Sequence, residues 1–175
     1  MNTVLKMLCG GDRRSIGRSD EVVQIILLQP EEFDNLFQGF YDPDPIIKMR
    51  TADAVEKITA QKPDLLTPYK QNIMGLIEKT GQMEVQWHLV QILPRLPLTK
   101  AEIVNTYQMV EKYLTSSSAI VKTFTYQCFF ELALQQPCLL SQTRKHLEIG
   151  IRSTTKAVRS RCRRLLKEIE NYEER

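Results

Sequence analysis

Apolar residues recur along this chain with the spacing of a helix face, and the same face returns four times. Ile47, Val85, Val121 and Val158 stand 38, 36 and 37 residues apart. Four residues after each anchor come Thr51, Leu89, Thr125 and Cys162. Seven and eight after come Ala54-Val55, Ile92-Leu93, Cys128-Phe129 and Leu165-Leu166, and eleven after come Ile58, Leu96, Leu132 and Ile169. Those offsets keep to one side of an α-helix, where each residue turns by about 100°. One such stripe is ordinary. Four in register, at a period near 37, mark an internal repeat.

Each anchored helix follows a second amphipathic segment. Leu36, Met74, Val110 and Leu147 lie eleven residues before the anchors. Turn and capping residues separate the two: Asp42-Pro43-Asp44-Pro45, Thr80-Gly81, Thr115 to Ser118, and Ser153-Thr154-Thr155. Pro63, Pro97 and Pro137 mark the passage from one pair to the next. No stretch alternates with period two, so no strand is expected. The pattern predicts helices near 19–28, 31–41, 44–60, 65–79, 83–96, 100–115, 118–135, 138–152 and 155–172. Residues 1–18 are expected to form an arm or loop, basic around Arg13, Arg14 and Arg18, before a single domain over 19–175.

The segment from Asp42 to Val55 (DPDPIIKMRTADAV) resembles HEAT repeats, with the turn Asp, a Val-Arg-like element and spaced alanines. Ala157-Val158-Arg159 and Ile120-Val121-Lys122 repeat that element, while Val85-Gln86 departs from it. The resemblance spans about residues 30 to 173. It implies an all-α, right-handed α-solenoid of about four helix pairs, with residues 19–29 as a capping helix. Such a fold hosts many functions.

In HEAT-like solenoids the second helix of each pair typically lines a concave face. The side opposite the apolar stripe falls at offsets 2, 5, 6 and 9. It carries Met49, Ala52, Asp53 and Glu56, then Trp87, Val90, Gln91 and Pro94, then Thr123, Tyr126, Gln127 and Phe130, then Ser160, Arg163, Arg164 and Lys167. An exposed groove is expected at Met49, Trp87, Val90, Tyr126 and Phe130, beside a basic patch of Arg159, Arg163, Arg164 and Lys167.

Charge sharpens this picture only locally. The whole chain carries +3, but residues 144–167 hold nine Lys/Arg against Glu148 alone. At 42% hydrophobic and 26% charged, with seven glycines in 175 residues, the composition fits a folded helical domain and excludes collagen and a disulfide miniprotein. Apolar runs such as Ile25 to Leu28 are too short to span a bilayer, and Lys6 interrupts the first apolar stretch, so neither a membrane span nor a secretory leader is expected. Cys128 and Cys162 fall on apolar faces and read as reduced packing residues of a cytoplasmic protein.

Motifs for chemistry are missing. The sequence has no G-x-G-x-x-G, Walker loop, HExxH or G-x-S-x-G. His88 and His146 belong to different repeats and neither precedes a Glu, so the His-Glu pairs of di-iron HEAT-like hydroxylases are absent. His88 is expected on a helix surface. Asp42 and Asp44 sit in a turn that capping explains. HEAT-like DNA glycosylases use an Asp among aromatic residues, and Asp53 is the nearest counterpart, but Trp87 is the chain's one Trp. No catalytic residue, metal or cofactor is expected.

The function expected is that of a non-enzymatic scaffold, a monomer or homodimer, binding a peptide or partner helix with acidic and apolar residues. A second reading is a nucleic-acid-binding solenoid using the basic C-terminal repeat, with the aromatics against bases.

Overall fold

The computed structural model describes residues 2–12 and 15–174, and among them there is helix, 3-10 turn and loop but no strand. Two compact units divide at Pro97, residues 1–97 and 98–175.

The first unit holds α1 (Thr3–Leu8), α2 (Ser19–Leu28), α3 (Phe33–Phe37), α4 (Pro45–Thr59), α5 (Lys70–Lys79) and α6 (Met83–Ile92). Short 3-10 turns flank α3 and one follows α6, and a longer one, Pro63–Tyr69, leads into α5. The start of α4 shows why the turn sequence is written as it is. Asp42 Oδ1 accepts from the Asp44 amide at 2.9 Å, and Asp44 Oδ1 accepts from the Ile46 amide at 2.8 Å. Pro45 takes the first helical position, where its missing N–H costs nothing. α4 packs on α2 and on α6, and receives α1 and the turn Gln38–Tyr41 as well.

The second unit holds α7 (Lys100–Val110), α8 (Ala119–Gln135), α9 (Leu140–Gly150) and α10 (Lys156–Glu173). A capping box opens α7: Glu102 Oε2 accepts from the Thr99 amide at 2.7 Å, and Thr99 Oγ1 accepts from the Glu102 amide. Ser118 Oγ caps α8 through the Val121 amide. α8 packs on α7, α9 and α10, whereas α10 packs on α8 and α9.

Every position of the four-fold stripe is buried except Leu166, which is half-buried because its neighbour Leu165 takes the core position. Phe129 packs against Tyr107 with the rings tilted and their centroids 4.3 Å apart, and Tyr107 shares a 2.9 Å hydrogen bond with Thr143. The nine expected helices all appear, several with a terminal turn wound as 3-10.

The segment expected as an arm is partly structured. Residues 3–8 form α1, whose Val4, Leu5 and Leu8 are buried. The loop that follows closes around Arg50 of α4, which is 1% exposed. Carbonyl oxygens of Leu8, Gly10 and Ser15 accept from its guanidinium at 2.8, 2.6 and 3.1 Å, with longer contacts to Cys9 and Asp12. Gly17 at φ +59° makes the closest approach; a Cβ there would lie 2.7 Å from the Arg50 guanidinium carbon. Arg13 and Arg14, counted in the basic loop, lie outside the described residues.

Candidate functional site

The apolar groove expected from helix phase is not exposed. Met49 and Val90 in the first unit are 6% and 0% exposed; Tyr126 and Phe130 in the second are each 6% exposed. Only Trp87 is half-buried. The reason is neighbour number. α4 and α8 are contacted from several sides, so their buried arc is wider than one stripe. Tyr126 leans on Gly150 and Cys162, inside the layer formed by α8, α9 and α10. These four residues are core, and no open apolar row is formed by them.

The basic patch has the opposite outcome. α10 keeps a narrow buried stripe of Val158, Cys162, Leu165 and Ile169. Lys156, Ser160, Arg163, Arg164 and Lys167 are exposed on the other side. At 1.5 Å per residue, Lys156 to Lys167 extends about 17 Å along the helix. Lys156, Arg163 and Lys167 have neither an ion pair nor a hydrogen bond to a described residue.

The flanking cations are held in place. Arg159 donates to the Ser153 and Thr154 carbonyls, both at 2.8 Å. Gln127 Oε1 accepts from Arg161 at 2.8 Å and from Arg164 at 3.0 Å, and its amide donates to Glu131 at 2.8 Å. Arg161 lies 5.4 Å from the Phe124 ring centroid. Arg164 also pairs with Glu168 at 3.2 Å, and Arg144 pairs with Glu173. Residues 98–175 contain 13 Lys/Arg and 8 Asp/Glu, a net +5, whereas residues 1–97 contain 11 and 13, a net −2.

The first unit brings together polar residues that helix phase alone did not connect. Asp53 Oδ2 accepts from Ser19 Oγ at 2.6 Å and pairs with Lys57 at 2.9 Å; Lys57 also reaches Asp20 at 2.7 Å. Arg95 clamps α4, donating to the Glu56 carbonyl at 2.6 Å and pairing with the Glu56 carboxylate at 2.5 Å. His88, expected on a helix surface, is 8% exposed, and its Nδ1 is sealed with no hydrogen-bond partner among the described residues. Burial pushes its pKa down to about 4, against the opposing pull of Asp53 and Glu56. A network tied this way across α2, α4 and α6 fastens helices together. Asp53 is committed to Ser19 and Lys57.

Burial pushes the Cys162 thiol up to about 12 and raises Cys128 as well, so both are protonated packing groups at neutral pH. No group of three or more His, Cys, Asp or Glu suited to a metal occurs among the described residues. No helix among them is long and apolar enough to cross a membrane. No family model, curated protein or solved structure matches the chain.

Proposed function

We propose that this chain is a HEAT-like, non-enzymatic binding module that engages an acidic segment of a partner protein along the exposed face of α10. Support for the repeat reading comes from the four-fold buried stripe and, within each unit, from alternate helices packing on one another, α4 on α6 and α8 on α10.

The observation that carries the functional reading is the cation row of Lys156, Arg163 and Lys167, exposed and without a partner among the described residues. Its length favours a short acidic segment over a long polyanion. Glu170 near the end of the helix and Glu174 just past it follow the row, and their charge opposes a phosphate backbone running beyond it. Burial of Met49, Val90, Tyr126 and Phe130 removes the apolar centre expected of the groove, so charge supplies more of the recognition than shape.

The test is a titration of the full chain with acidic peptides and with single-stranded and duplex DNA at 50 and 200 mM salt. Peptide binding that is lost in a Lys156→Gln, Arg163→Gln, Lys167→Gln variant of unchanged stability supports the proposal. DNA binding that falls by orders of magnitude between the two salts, with no peptide binding, replaces it with the nucleic-acid reading.

A further inference from the structure

A cleft of about 470 Å³ opens in the first unit between the turn Gln38–Tyr41, α4 and α5. Its size lies within the range of small-molecule sites, roughly 300–1,000 Å³. Lys48 and Lys79 line it, no Asp or Glu does, and neither lysine is paired with a described residue. Gln71 and Asn72 add amide donors and acceptors to the wall. Tyr41 presents an aromatic ring that is 52% exposed, fixed by the 3.0 Å hydrogen bond that Asn72 Nδ2 donates to its hydroxyl.

Gly75 supplies an independent sign. It sits inside α5, where glycine costs about 1 kcal/mol relative to alanine. Nothing lies within 4 Å of a Cβ built on it, so packing does not demand the glycine. The space above it belongs to the cleft.

From this juxtaposition we infer that the cleft binds a phosphate ester of about mononucleotide size. The two ammonium groups meet the phosphate, which carries about −1.5 to −2 charge at neutral pH. The side-chain amides hydrogen-bond the polar body, and the Tyr41 ring stacks on a flat base. This site is separate from the α10 cation row and does not rest on the function proposed for it.

Calorimetric titration of the full chain with AMP, GMP, CMP, UMP and inorganic phosphate tests the inference. Expected is saturable binding of at least one nucleoside monophosphate, weakened at least tenfold in a Lys48→Gln, Lys79→Gln variant. Gly75→Leu, which fills the cleft without touching either charge, should abolish it while α5 remains folded by circular dichroism. The Arg163→Gln, Lys167→Gln variant should bind as the parent does. Failure of all four nucleotides to bind at millimolar concentration, or binding unchanged in both cleft variants, overturns the inference. Equal binding of inorganic phosphate and the nucleotides removes the base-stacking element and rejects the size class.

Discussion

Arg50 Nη1 donates to the Gly10 carbonyl at 2.6 Å, joining α4 to a loop forty residues earlier in the chain. The same guanidinium reaches the carbonyls of Leu8 and Ser15, so one side chain ties together both described ends of the turn between α1 and α2. Arg50→Met keeps volume and removes the donors. It should destabilise the chain by about 3 kcal/mol or more, because several carbonyls lose a charged partner. Denaturant unfolding measures the loss, and amide exchange over residues 9–18 should accelerate before global unfolding. Exchange unchanged from the parent would mean that the loop holds itself.

Gly17→Ala probes the same closure from the loop side. The residue has φ +59°, and a Cβ would press on the Arg50 guanidinium. A loss of about 1–3 kcal/mol is expected, and in the Arg50→Met background the penalty should shrink. Additive losses in the double mutant would show that the two residues are not coupled.

Phe129→Ala opens a cavity beside Tyr107 and His146, whose rings lie 4.3 and 5.1 Å from it by centroid. Truncation should cost about 3–5 kcal/mol. Gly150→Ala should destabilise through the opposite fault, since its Cβ would collide with Cys162 and approach Tyr126 to 2.8 Å. Overpacking of this kind costs about 1–3 kcal/mol. Thermal melts of both variants check the phase of α8 against α9 and α10.

His88 should make stability depend on acid. Its folded pKa of about 4 lies below the ordinary 6.5, so the unfolded chain binds the extra proton first. The stabilising difference is complete above pH 6.5 and is lost as pH falls towards 4. By pH 5 the loss is about 2 kcal/mol. Denaturation midpoints at pH 7 and pH 5 should therefore differ more in the parent than in His88→Leu. Parallel profiles would show that His88 is not the source of the acid sensitivity.

Helix existence was legible because the apolar stripe depends only on the chain's own period. Burial on the far side was not, because it depends on how many neighbours a helix receives. Tyr126 and Phe130 look outward on an isolated α8 and are covered once α7, α9 and α10 surround it. On α10, which packs on two helices, the same reasoning placed Arg163, Arg164 and Lys167 correctly in solvent. α1 was missed since six residues interrupted by Lys6 give too short a pattern. A usable signal for the polar fastenings does exist. The position three residues after each anchor carries Arg50, His88, Phe124 and Arg161, which lie neither on the stripe nor opposite it. Arg50 is fully buried there, and Arg161 and Phe124 meet each other.

Gln127 has a further consequence for the basic surface. It restrains two guanidinium groups with a neutral amide oxygen, where a carboxylate would have cancelled one of their charges. Arg161 and Arg164 are thus oriented in advance by a group that takes none of their charge, although Arg164 shares part of its own with Glu168. Much of the entropy of fixing two long side chains is already spent before any partner arrives. A carboxylate brought to this face would meet a spatially defined field, which favours fast encounter in a single register over diffuse attraction.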